Sequence, residues 1–90
     1  MQDDKFEWDD TKADSNRRKH GVTFDEARSV FADLSAIDEI DDDPDEERWK
    51  RTGEGNGRLP TVIYVERRPR IRIISARKAT QHEQDDYYRR

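Results

Sequence analysis

The sequence predicts an α+β fold, a small antiparallel β-sheet packed with helices, on three observations. Thr61 to Arg67 and Arg70 to Ala76 are runs rich in Val, Ile, Tyr and Thr with Arg68-Pro69 between them, the pattern of a β-hairpin. Phe24, Ala27, Phe31 and Leu34, with Val30 beside them, recur at helical spacing. Further helix signals lie before and after these segments, so helices flank the strands instead of alternating with them, and they are expected on one face of the sheet. The expected order is β-α-α-β-β-β-α in a single domain over residues 1–90, without repeats.

Each element has its own signal. Phe6-Glu7-Trp8 alternates apolar and polar and reads as a brief first strand. Asp9 or Asp10 can cap the next helix by accepting from its free N–H groups. That helix runs to Lys19 or His20, and Gly21 suits the left-handed position that closes it. Thr23-x-x-Glu26 is a capping box that opens a second helix, with Val22 and Ala27 spaced as a hydrophobic staple. Residues 38–47 hold eight acids around Pro44 and read as a solvated turn. Arg48 to Thr52 is a short strand, followed by Gly53, Gly55, Asn56 and Gly57 as loop punctuation. Pro60 starts the first hairpin strand, and Pro69, which cannot donate to a ladder, belongs in the turn. Thr80-x-x-Glu83 opens a last helix that ends at Tyr87-Tyr88-Arg89-Arg90.

Composition narrows the function. Of 90 residues, 30% are hydrophobic and 44% charged, so the core is small and depends on clustered apolar residues. With no cysteine, disulfides, thiolate zinc sites and a cysteine nucleophile are excluded. No apolar run is long enough to span a membrane. The acidic start MQDDKFEWDD lacks the pattern of a secretory signal, so a cytoplasmic location without membrane partners is expected. The net charge of −4 hides a split: residues 1–45 carry 15 acids against 6 bases, residues 46–90 carry 7 against 12. The basic half suits an anion such as nucleic acid, held locally and not over the whole surface.

Two groups of side chains can carry chemistry. Lys12, Asn16, Lys19 and His20 fall on one helix face and offer two ammoniums, an amide and a ring titrating near neutrality. The same pattern also fits a solvated helix flank, with His20 favourable to the helix dipole. Arg48, Arg67, Arg68, Arg70, Arg72 and Arg77 lie on or beside strands. Guanidinium groups on an open sheet face form a multidentate phosphate site. Cross-strand pairing with Glu46, Glu47 or Glu66 accounts for them equally well. His20 and His82 lack metal-ligand spacing, and the glycines do not form a phosphate loop, so neither a metal nor another cofactor is expected.

Phe6-Glu7-Trp8-Asp9, Lys12, Asn16, Lys19-His20-Gly21-Val22, Phe24-Asp25-Glu26-Ala27, Val30-Phe31 and Asp33 resemble the BrnT toxins. So do Glu47-Arg48, Gly57-Arg58-Leu59 and the block from Arg72 to Ala79, with Glu83 and Tyr87 or Tyr88. The resemblance implies a RelE-like fold and the toxin of a bacterial type II toxin–antitoxin system. It implies metal-independent RNA cleavage that arrests translation, neutralised by a BrnA-like ribbon-helix-helix antitoxin. Operator DNA is then met only through the toxin–antitoxin complex, which represses its own promoter. The sequence departs from the resembled pattern at Lys50-Arg51-Thr52, where an apolar strand is usual, and at Pro60.

Metal-free RNA cleavage needs a base for the 2′-OH, an acid for the leaving oxygen and cations for the developing charge. Arg77 and Arg67 are assigned to the phosphate, with Arg48 in support, His20 as the titrating group and Glu47 as an alternative base. Lys12, Asn16, Lys19 and Lys78 are assigned to neighbouring parts of the substrate. Two other functions compete: a catalytically weak, antitoxin-binding co-repressor, and an acidic mimic of nucleic acid built on residues 38–47.

Overall fold

The computed structural model describes residues 1–89, and Arg90, the last position of the expected C-terminal helix, lies outside them. The elements are β1 (Phe6–Glu7), α1 (Asp10–His20), α2 (Phe24–Ser29), a 3-10 turn (Val30–Ala32), β2 (Ile37–Asp41), β3 (Arg48–Thr52), β4 (Pro60–Arg67), β5 (Arg70–Lys78) and α3 (Gln81–Tyr88). They form one five-stranded sheet in the order β1-β5-β4-β3-β2.

The local signals act as their chemistry dictates. Asp9 accepts from Thr11 and Lys12 N–H to start α1, and Gly21 closes it at φ +69°. Thr23 accepts from Glu26 N–H, and Thr80 with Glu83 forms a reciprocal capping box. The hairpin β4–β5 runs from the pair Pro60–Lys78, next to Thr61–Arg77, to Arg67–Arg70 at the turn.

The core lies between one face of this sheet and α1 with α2. It is built from Phe6, Trp8, Val22, Phe24, Ala27, Val30, Val62, Ile73 and Ala76. Its aromatic rings meet edge-on: Trp8 with Phe24 at 5.7 Å and Phe31 with Tyr64 at 4.9 Å.

Four expectations need correction. The acidic segment is not all turn, because residues 37–41 pair with β3 over five positions. The reason lies in the opposite strand: Asp38 faces Arg51, Glu39 faces Lys50 and Asp41 faces Arg48. Lys50-Arg51 thus replaces the apolar pattern because β3 is neutralised by an acidic neighbour. The sheet is not wholly antiparallel, since β1 runs parallel to β5 through Phe6–Ile71 and Glu7–Arg72. Leu34 leaves the helical stripe and is fully exposed, because α2 stops at Ser29 and tightens into the 3-10 turn. Finally, the helices are not all on one face. Thr61 and Arg77, to which α3 is tied through Glu83, alternate with core residues Val62 and Ala76, so α3 sits on the second face.

Candidate active site

Strand alternation sorts the cations. Residues paired across antiparallel strands share a face. Starting from Thr61–Arg77 and following the register, Arg48, Lys50, Arg67, Arg70, Arg72 and Arg77 all project from the second face. This face also carries Thr52 and Thr61, whose hydroxyls are 2.8 Å apart.

The densest part lies where α3 meets the sheet. The buried Glu83 carboxylate accepts from Arg77 Nη1 at 2.7 Å and Arg77 Nη2 at 3.0 Å. Thr61 Oγ1 donates to it at 3.0 Å and Thr80 N–H at 2.8 Å, while Lys50 Nζ stands 3.2 Å away. Burial alone raises the pKa of Glu83. The Arg77 hydrogen bonds, the Thr80 N–H and Lys50 outweigh burial and hold the carboxyl well below the usual range. The hydrogen bond to Glu83 likewise raises the pKa of Arg77 against the opposing effect of burial. Two cations, a hydroxyl and an N–H thus converge on one anion, a donor set that also matches a phosphodiester.

The expected arginines share a face but not a point. Arg67 and Arg77 are separated by six positions of β4 register, about 20 Å of strand. Arg48 and Thr52 are four positions apart on β3, about 13 Å. A single phosphate cannot touch all three arginines. Arg48 is bound to Glu46 at 2.7 Å and lies 3.5 Å from Asp43. The Glu46 hydrogen bond is the main cause of its raised pKa. Arg72 binds Glu7 at 2.6 Å. Arg67 is exposed and has no hydrogen bond or ion pair among the described residues. Glu47 is exposed on a cleft of about 380 Å³ with Trp49, Val65, Glu66 and Arg68.

Asn16 is corrected. It is buried, and its amide donates to Val22 O at 2.9 Å and Ala76 O at 2.8 Å while accepting from Ala76 N–H at 3.1 Å. It is committed to the fold, leaving Lys12 and Lys19 exposed on α1 without it. No hydrogen bond or ion pair joins His20 to the arginines among the described residues. His20 lies one helical turn beyond Asn16, at the last position of α1. Arg58 donates to the neighbouring Gly21 carbonyl at 2.9 Å, is neutralised by Glu26 at 2.7 Å, and lines a cleft with Lys78 near the end of α1.

Sequence reasoning read Glu83 as a helix cap and as part of the family resemblance, and noted Lys50 only as a departure from the resembled pattern; it assigned neither to the site. Their joint role has a faint signal: Lys50-x-Thr52 occupies alternate positions of one strand and so shares a face, which the register then extends to Thr61. Among the described residues, no three His, Asp or Glu side chains are grouped as metal ligands. No helix there is long and apolar enough to cross a membrane.

A scan of protein families matches residues 8–83 to the ribonuclease toxin BrnT of type II toxin–antitoxin systems. The chain belongs to the BrnT family. The match begins just after β1 and runs through Glu83, so it includes the six cations of the second face and their closing carboxylate. Membership makes this BrnT chain a ribonuclease toxin whose partner is a protein antitoxin. A search of curated proteins finds no match.

Proposed function

We propose that this BrnT protein cleaves RNA without a metal, using the ribose 2′-OH as nucleophile, and that the second face of the sheet is its substrate surface. The observation that carries the reading is the alignment of six cations on that one face. Their separation suits a strand of several phosphates better than one. Arg77 and Lys50 are the cations for the reacting phosphate, and Arg48 and Arg67 hold flanking ones. His20 is the proton-transfer group by residue type, with Glu47 as the alternative base. Lys12, Lys19 and Lys78 extend the positive path on the α1 side. Glu83 is a weak base as it stands, because its pKa is held far below neutrality. Its part is to orient Arg77 until a phosphate competes for the same donors.

The physiological reading follows. Cleavage arrests translation in the cytoplasm, a ribbon-helix-helix antitoxin neutralises it, and the pair represses its own promoter. The test is cleavage of an RNA oligonucleotide by the purified chain in the presence of a chelator. Products ending in 2′,3′-cyclic phosphate, and no cleavage when the scissile nucleotide is 2′-deoxy, are expected. Cleavage of the 2′-deoxy substrate at the same site overturns the mechanism.

A second reading has an observation in its favour. Arg77 is bound at both guanidinium nitrogens by Glu83, and Arg48 is held by Glu46. Arginines neutralised in this way suit a catalytically weak, antitoxin-binding co-repressor. Growth arrest on induced expression, abolished by Arg77→Ala, separates the two.

A further inference from the structure

We propose that the free edge of β2 is the docking seam for the protein partner, and that the occupant is a basic, extended segment that joins the sheet as a further strand. The proposal rests on the reading of this chain as one half of a toxin–antitoxin pair and identifies the surface that the pair uses.

β2 is the outermost strand on its side of the sheet, with only β3 beside it. Its outward N–H and C=O groups face no other strand, which makes the edge a template for another chain. Protein edges are usually blunted by charged side chains, a proline or a bulge. Ile37–Asp41 contains no proline, its register with β3 is continuous across all five pairs, and its charges are all acidic, which turns away a like edge but not a basic strand. The opposite edge of the sheet is the two-residue β1, where Asn16 occupies part of the open side of β5.

The side chains on the seam define what fits. Ile40 is 69% exposed and is paired with the half-buried Trp49 on the core-side face, leaving an apolar contact unused at the rim. Glu39 and Asp41 project from the second face. Just beyond, Asp42, Asp45 and Glu47 have no ion pair among the described residues. Residues 38–47 carry eight acids and no base.

Charge then chooses between occupants. A second copy of this chain pairing through β2 sets acids against acids, which is repulsive across strands. A strand with an apolar residue opposite Ile40 and Lys or Arg opposite Glu39 and Asp41 satisfies both faces together. The same acidic rim speeds the encounter with a basic segment in a salt-dependent way. Such a segment lies one strand away from Arg48 and Lys50 of β3, so docking at β2 borders the substrate face.

The experiment uses the full chain and a short synthetic peptide alternating lysine with valine, followed by amide NMR and hydrogen exchange. The expected result is slowed exchange and shifted amides in Ile37–Asp41, with affinity falling at least about tenfold in Glu39→Lys/Asp41→Lys. A peptide N-methylated at alternate residues keeps its charge but cannot form a ladder, and it is expected to lose affinity similarly. Ile40→Lys, at an exposed position, leaves the acids of β2 and their pairing with β3 in place and is expected to weaken binding likewise. Equal binding of the N-methylated peptide, or amide changes confined to α3 or β1, overturns the proposal. RNA cleavage by the same preparation is measured alongside. Cleavage without β2 binding defeats the seam alone, and β2 binding without cleavage defeats the nuclease reading alone.

Discussion

Asn16 binds both backbone polar groups of Ala76, donating to its carbonyl at 2.8 Å and accepting from its N–H at 3.1 Å. A neighbouring strand makes the same pair of bonds. β1 covers β5 only at Ile71 and Arg72, so the side-chain amide takes over where the strand ends. Its third bond, to Val22 O, ties the chain leaving α1 to the same point. One buried amide therefore sets where the end of α1, and with it His20, lies relative to β5.

Asn16→Ala is expected to destabilise the fold by about 2–3 kcal/mol, because it strands the Ala76 N–H and two carbonyls in a buried place. Asn16→Asp restores the acceptor but not the donors and is expected to recover little at neutral pH. Urea unfolding of the three proteins checks this, with an unchanged m-value as the sign that only stability moved.

Glu83 predicts an acid limb to stability. Its folded pKa lies below its unfolded value, because the Arg77, Thr80 and Lys50 donors overcome the effect of burial. The stabilisation is complete above the unfolded carboxylate pKa and declines as pH falls through the folded one. Glu83→Gln is therefore expected to cost about 3 kcal/mol near neutrality. The gap between the variant and the parent should narrow as pH drops below about 4. Chemical denaturation at a series of pH values measures the gap, and a gap independent of pH refutes the assignment.

Tyr87 fastens α3 from its other end. Its hydroxyl donates to Asp33 Oδ2 at 2.6 Å, and this bond is the chief cause of a phenol pKa pushed up to about 12. Tyr87→Phe is expected to loosen α3 at a cost of about 1 kcal/mol. The sign is opposite to that of Glu83: with the folded pKa raised, the contribution is present below pH 10 and is lost as pH climbs toward 12. Ultraviolet titration of the tyrosines should lose its highest-pH component, apart from Tyr64, in the Phe variant.

Arg51 joins the acidic strand to the core. Its guanidinium binds Asp38 at 2.6 Å, donates to the Val30 and Asp33 carbonyls, and lies 5.2 Å from the Phe31 ring centre. Arg51→Ala is expected to cost about 2 kcal/mol or more. It should release β2 before the rest of the sheet, with amide exchange in Ile37–Asp41 rising ahead of that in β4 and β5.

These dependencies explain which parts could be read from sequence. The β4–β5 hairpin and the caps at Asp9, Thr23 and Thr80 were legible because their chemistry is local: β-branched runs, and a hydroxyl or carboxylate within reach of nearby N–H groups. β2 was hidden because acids are poor strand formers, and the cations that neutralise them lie in the following strand. Asn16 was misplaced because α1 has hardly any apolar face, so its one buried side chain reads as solvated. The arginines were legible as a set. Their common face and wide spacing emerge only from the register, and the bond from Arg77 to Glu83 requires α3 to fold back across the sheet.

Arg67 and Arg77 should therefore fail differently. Arg67 is exposed and unpaired among the described residues, so Arg67→Ala is expected to leave stability within about 0.5 kcal/mol. If it holds one phosphate, the slope of log affinity against log salt for single-stranded RNA should fall by about 0.7. Arg77→Ala removes the partner of a buried carboxylate, so it is expected to lower both stability and cleavage. Arg77→Lys keeps the charge but not the two-pronged geometry, and should recover stability more fully than cleavage. Single-turnover cleavage measured beside unfolding free energy distinguishes the cases. A loss of cleavage in Arg77→Lys no larger than its loss of folded protein would leave Arg77 a structural residue and transfer the reacting phosphate to another part of the face.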